Sequence, residues 1–195
     1  MVCSLLLLLI GLCFGAWRTG VRAFSKADRK TKLLTDLQVV AVMLRREASF
    51  ASRPSFTLEN DTDGSALSFL SARTLKASGD RFTVDPGSFR PEWQKYLLVW
   101  LDKGSGELFQ REVPLVAGAA QRRYPTPIEL YDAGPGVQPL ADYLEDGRKL
   151  VAGVDSLLAR WEENALRVTL GGRGTDRTAV EEERFTYEVV LQPRN

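Results

Sequence analysis

The sequence predicts an α+β chain in which one long N-terminal helix packs on an antiparallel β-sheet head, and three observations predict it. Residues 1 to 17 are apolar apart from Ser4. A helical spacing of apolar residues continues beyond that run as far as the proline at position 54. From Ser55 onward the rhythm shifts toward two, the period of strands. These divide the chain into a hydrophobic transmembrane or filament-core helix (1–24), an amphipathic helix half (25–53) and a β-rich globular head (54–195).

In the first segment, Leu5, Leu6, Leu7, Leu8, Leu9 and Ile10 form a block that ends, after Phe14, Gly15 and Trp17, at Arg18. Seventeen helical residues span about 25 Å, slightly less than a bilayer core of about 30 Å. The segment needs lipid or protein around it. Gly11, Gly15 and Gly20 each weaken the helix by about 1 kcal/mol relative to alanine. Cys3 and Cys13 lie in the same run, roughly 15 Å apart on a helix, too far to bridge, and read as small hydrophobes.

Past Arg18, the residues Leu33, Leu37, Val40, Leu44 and Ala48 recur at helical spacing with Asp36, Arg45, Arg46 and Glu47 between them. That is an amphipathic stripe, and Leu33, Leu37, Val40 and Leu44 are the candidates for packing on the head. The residue before a proline avoids helical angles, so Pro54 predicts a helix terminus near Ala51 to Arg53.

The formal net charge is +1, from 26 Lys and Arg against 25 Asp and Glu, which argues against a dedicated nucleic-acid binder. The average hides an asymmetry. Residues 18–32 carry Arg18, Arg22, Lys26, Arg29, Lys30 and Lys32 against Asp28 alone, and the remainder of the chain is mildly acidic. Arg18, Arg22 and Lys26, four residues apart, form a basic collar suited to anionic headgroups, to acidic faces of neighbours, or to a solvated connector. All nearby Lys and Arg lie C-terminal to the apolar run, which by itself favours a cytoplasmic body. The chain has no histidine, so the usual general base of hydrolases and the commonest transition-metal ligand are missing. No enzymatic activity and no cofactor are expected.

In the head, Ser55–Leu58 and Ala66–Leu70 flank a turn-rich stretch at 60–65 and read as a hairpin. Tyr96–Leu101 is a continuous apolar run, the pattern of a strand covered on both faces. Residues 102–106 turn it into a return strand, Glu107–Val113. Leu166–Leu170 and Phe185–Leu191 read as a second hairpin around a polar loop starting at Gly171. Residues 149–162 fit either a helical face through Leu150, Val154, Leu157, Leu158 and Trp161, or a strand through Leu157, Ala159 and Trp161. The prolines and glycines between 124 and 138 mark a loop. Asp61 and Asp63 are weak candidates for a cation, because Gly64 falls too early for an EF-hand loop and Asp-Gly is an ordinary turn pair. Gly171-Gly172-Arg173-Gly174 is not a phosphate loop, since no Gly-Lys-Ser/Thr follows it.

The order of these parts resembles the type IV pilin superfamily, and within it the J-type pseudopilins of type II secretion and the W-type minor pilins. The resemblance rests on Met1 to Gly11 and on the helix running on to Arg45-Arg46-Glu47. It continues in Gly64 to Phe69, in Leu98 to Leu101 leading to Gly106 to Glu112, and in Leu150 to Leu157 followed by Ala165 to Leu170 and a last strand. It implies a minor pilin or pseudopilin that helps initiate or cap a type IV pilus or a type II secretion pseudopilus. Such a subunit waits in the inner membrane lipid with its head in the periplasm. Its N-terminal helix, through residues such as Leu5, Leu6, Leu8, Leu9, Gly11, Phe14, Gly15 and Trp17, then meets other minor subunits and the major one. Contact with nucleic acid would be indirect, through DNA uptake. The alternative is a signal-anchored periplasmic or extracellular binding protein that forms no filament. The family's Gly-Phe-Thr-Leu processing site, and the glutamate it uses for methylation and for pairing with a neighbour's N-terminus, have no counterpart here. Either a leader is encoded upstream of Met1 or the subunit is unconventional, and a basic leader would also account for the short span and the placement of charge.

Overall fold

The computed structural model describes residues 2–60, 64–75, 78–115, 125–131, 138–173 and 184–193. Helix α1 runs unbroken over Val2–Ala48, 47 residues and about 70 Å. Among the described residues eight strands follow: β1 (Thr57–Asn60), β2 (Gly64–Ser71), β3 (Lys95–Asp102), β4 (Glu107–Pro114), β5 (Arg148–Ala152), β6 (Val154–Glu162), β7 (Ala165–Arg173) and β8 (Arg184–Leu191). They form two antiparallel sheets, β1-β2-β3-β4-β5 and β6-β7-β8. The α+β reading therefore holds, with the head divided between two sheets.

The helix ends at Ala48, earlier than the Ala51 to Arg53 that Pro54 suggested. Two local bonds stop it: the Ala51 N–H donates to the Ala48 carbonyl at 3.0 Å, and the Ser49 hydroxyl donates to the Arg46 carbonyl at 2.9 Å. Both use carbonyls that the last turn leaves open. Arg53–Ser55 is then a short 3-10 turn with Pro54 inside it, so Ser55 lies outside the first strand, and Asn60 and Ser65 belong to strands and not to the turn between them.

Packing follows from the alternation along β3. Leu97, Val99 and Leu101 face inward to α1 and the second sheet, in one core with Leu33, Leu37, Val40, Leu44 and Ala48 of the helix. Tyr96, Leu98 and Trp100 face the other way, into a second cluster with Ile128 and Leu140 from the long excursion between β4 and β5. Strand β3 is thus buried on both faces, as its unbroken apolar run requires. The Tyr96 hydroxyl donates to the Thr126 carbonyl at 2.8 Å. Burial pushes its pKa up to about 12, against the lowering by the Thr126 hydrogen bond.

Residues 149–162 are extended except at Gly153. Leu157 and Ala159 are buried while Leu158 between them is 49% exposed, a period of two that no helix produces. Gly153 separates β5 from β6 at φ +81°, and its N–H and that of Val154 both donate to the Gly106 carbonyl. The left-handed turn there passes the chain from one sheet to the other.

The largest departure concerns Gly171 and Gly172, which are strand residues paired with Thr186 and Phe185 and not the start of a loop. A Cβ at Gly172 would come within 2.9 Å of the Leu33 side chain and 3.2 Å of the Gly153 carbonyl. The bare backbone is the seat on which the helix enters the head. We expect Gly172→Ala to cost about 1–3 kcal/mol in urea unfolding, the usual range for overpacking. Combining it with Leu33→Ala should cost less than the sum of the two single changes, and strict additivity would show that the contact is not what limits the site.

Candidate assembly surface and its charged latch

From Leu9 to Lys32 every residue of α1 is exposed. The large apolar side chains among them are Leu9, Ile10, Leu12, Phe14, Trp17, Val21 and Phe24, with Trp17 71% and Phe24 75% accessible. Gly11 and Gly15 have nothing within 4 Å of where a side chain would be. A contiguous series of exposed apolar side chains is the kind of surface that protein or membrane contacts cover. Four hydroxyls on the helix are internally satisfied: those of Thr19, Ser25, Thr31 and Thr35 donate to the carbonyls of Gly15, Val21, Ala27 and Thr31, at 2.8 to 2.9 Å. A hydroxyl so bonded costs little when water is removed. Leu5, Leu6 and Leu8 lie on α1, but their side chains fall outside the described residues. Within the described residues no helix is long and apolar enough to cross a membrane.

Arg18, Arg22 and Lys26 are exposed along this part of the helix, and Lys30 lies over the Phe185 ring at 4.6 Å, where the helix meets β8. Beyond it the two sides of α1 diverge. Leu33, Leu37, Val40 and Leu44 are buried against the head, whereas Val39 and Val42 are 63% and 57% exposed on the opposite side. A groove of about 350 Å³ lies beside them, lined in part by Asp36, Met43, Arg46, Gln110 and Arg148.

The C-terminal end of the helix is fixed by charge. Lys95, fully buried at the start of β3, bonds the Glu112 carboxylate at 2.7 Å, the Glu47 carboxylate at 3.5 Å and the Thr74 carbonyl at 3.2 Å. Glu47 also accepts from the Ser71 hydroxyl at 2.5 Å. Alongside, Asp80 accepts from Arg73 at 2.9 Å and from Arg46 at 2.5 Å. Helix, β2, β3, β4 and the segment after β2 are joined through seven side chains, Arg46, Glu47, Ser71, Arg73, Asp80, Lys95 and Glu112. Burial pushes the Asp80 carboxyl up, but the Arg73 hydrogen bond and the charges of Arg73, Arg46 and Lys95 prevail and hold its pKa below 3.8.

Asp61 and Asp63 lie outside the described residues. Among the described residues no group of His, Cys, Asp or Glu is arranged to hold a metal ion. The latch has no sequence signature as a set, although one part was readable: with Leu97, Val99 and Leu101 facing inward, period two places Lys95 inward as well, where a lysine needs partners.

Comparison of the chain with protein-family models, with curated proteins and with solved structures finds no match in any of the three. The architecture itself, one long N-terminal helix laid on antiparallel sheet, is pilin-like.

Removing one partner of a buried pair leaves a bare charge, so Lys95→Met should cost about 3–5 kcal/mol in urea unfolding, while Lys95→Met with Glu47→Gln and Glu112→Gln should recover much of that loss. The Asp80 contribution is complete above pH 3.8 and is lost as the pH falls through its lower folded value. Stability below pH 3.8 should therefore decline less steeply in Asp80→Asn than in the unaltered protein.

Proposed function

We propose that the chain is a non-enzymatic structural subunit of the type IV pilin superfamily, a minor pilin or pseudopilin that helps initiate or cap a type IV pilus or a type II secretion pseudopilus. The observation that carries this reading is the division of one continuous helix, in which Leu37 and Leu44 are wholly buried in the head while Phe14, Trp17 and Phe24 stand open to solvent. A rod of this kind has two successive surroundings. Before assembly the apolar end rests in the inner membrane with the head in the periplasm, and in the filament it lies among the equivalent helices of neighbouring subunits. Lipid tails are as apolar as leucine, so association within the bilayer depends on close packing, on small residues and on polar contacts. Gly11 and Gly15 supply the first opportunity for approach, and Arg18 and Arg22 provide charge at the boundary of the apolar segment.

An arginine near the middle of a membrane helix costs about 3 kcal/mol to insert. Leu9→Arg should therefore remove most of the chain from sheared filaments and from the membrane fraction. The head, read by near-ultraviolet circular dichroism, should stay folded. Recovery of the variant in filaments at the unaltered level would contradict the reading, as would an unaltered chain that stays monomeric in the membrane when a filament system is assembling.

A further inference from the structure

The cations between Arg18 and Lys32 are gathered on one side of α1. At about 100° per residue all of them fall within about 160° of the circumference, and Arg18, Arg22 and Arg29 fall within about 40° of one another. Asp28, the one acidic residue before Asp36, lies about 100° from the middle of that arginine line. All three arginines are exposed, and among the described residues none of them is in an ion pair.

The line has a definite extent. Toward the C-terminus it runs on to Leu33 and Val40, which the head covers, so a partner helix cannot follow this side along the whole rod. A ligand confined to the stretch before Leu33 can. Toward the N-terminus it runs into Gly11 and Gly15, where nothing lies within 4 Å of the absent side chains.

We infer that Arg18 and Arg22, with Arg29 above them, hold the phosphate of an anionic phospholipid at the edge of the apolar segment. Their position selects lipid over an acidic protein face. The line begins directly after Trp17, where the apolar run ends, so with that run in hydrocarbon both residues stand at headgroup level, a depth that tryptophan also favours. Long helical side chains lean toward the N-terminus, which here is the membrane side. Arg18 and Arg22 are about 6 Å apart along the axis, close enough for both to reach one headgroup. Each guanidinium offers paired N–H donors that match phosphate oxygens. Beneath them the bare backbone at Gly11 and Gly15 leaves room for the acyl chains of the same lipid. The inference rests on the membrane placement proposed above and adds to it the class of lipid.

The test reconstitutes the full chain in phosphatidylcholine bilayers with a trace of spin-labelled phosphatidylglycerol or spin-labelled phosphatidylcholine. Electron paramagnetic resonance then reads the fraction of each lipid immobilised at the protein. The unaltered chain should hold phosphatidylglycerol about five-fold more strongly than phosphatidylcholine. Arg18→Gln with Arg22→Gln should bring that ratio close to one, whereas Lys30→Gln with Lys32→Gln, which removes the same charge higher on the rod, should leave it nearly unchanged. Equal losses in the two pairs overturn the site, because overall charge would then account for the preference. A ratio of one for the unaltered chain within the bilayer overturns the lipid and leaves the arginines to an acidic protein face, while the membrane placement stands. Failure of the unaltered chain to enter the bilayers overturns both.

Discussion

The structure depends on one helix having one of its faces enclosed by the head. Leu33, Leu37, Val40, Leu44 and Ala48 form the strip on which both sheets close, and the wholly buried leucines contribute about 1.5–3 kcal/mol each. The C-terminal half of α1 is therefore core, not attachment. Its direction is set by Gly172 at the entry, by the sheets along its length, and by Glu47 held through Lys95 and Ser71 at its end. With the hydrogen-bonded helix unbroken between Val2 and Ala48, the apolar end extends from the head as a continuation of that axis.

That arrangement separates two tasks by side of the helix and by position along it. One side beyond Lys32 belongs to the head. The other remains open from Ile10 through Phe24 and again at Val39 and Val42. A contact made on the open side of the rod would leave undisturbed the packing that stabilises the head, so it would not compete with folding for the same leucines. The charged residues follow the same division. Arg46, Glu47, Arg73, Asp80, Lys95 and Glu112 are used within the subunit, whereas Arg18, Arg22 and Asp28 are exposed on the part that projects.

Much of this was legible in the amino-acid order because the relevant signals are local. The apolar run to Trp17, the stripe from Leu33 to Ala48 and the unbroken apolar strand through Leu97-Leu98-Val99 each carry their own periodicity. What was not legible depends on pairing across distance. Gly171 and Gly172 resemble loop residues until Leu33, far earlier in the chain, is seen to occupy the space above one of them. Residues 149–162 satisfy two periods equally until the exposure of Leu158 separates them. Glu47 and Glu112 look like ordinary surface charges, since their contacts with Lys95 bridge separations of 48 and 17 residues. Division of the head into two sheets at Gly153 is similarly a matter of a single left-handed residue within an otherwise extended stretch.

The account is tested most directly by sedimentation of the purified full-length protein, with and without lipid vesicles, after all detergent has been removed. An apolar rod built to be covered should bring the chain down with vesicles, and in their absence should drive it into larger assemblies. A protein that remains a soluble monomer in both conditions, with the head folded, would contradict the central claim that the exposed half of α1 exists to be buried.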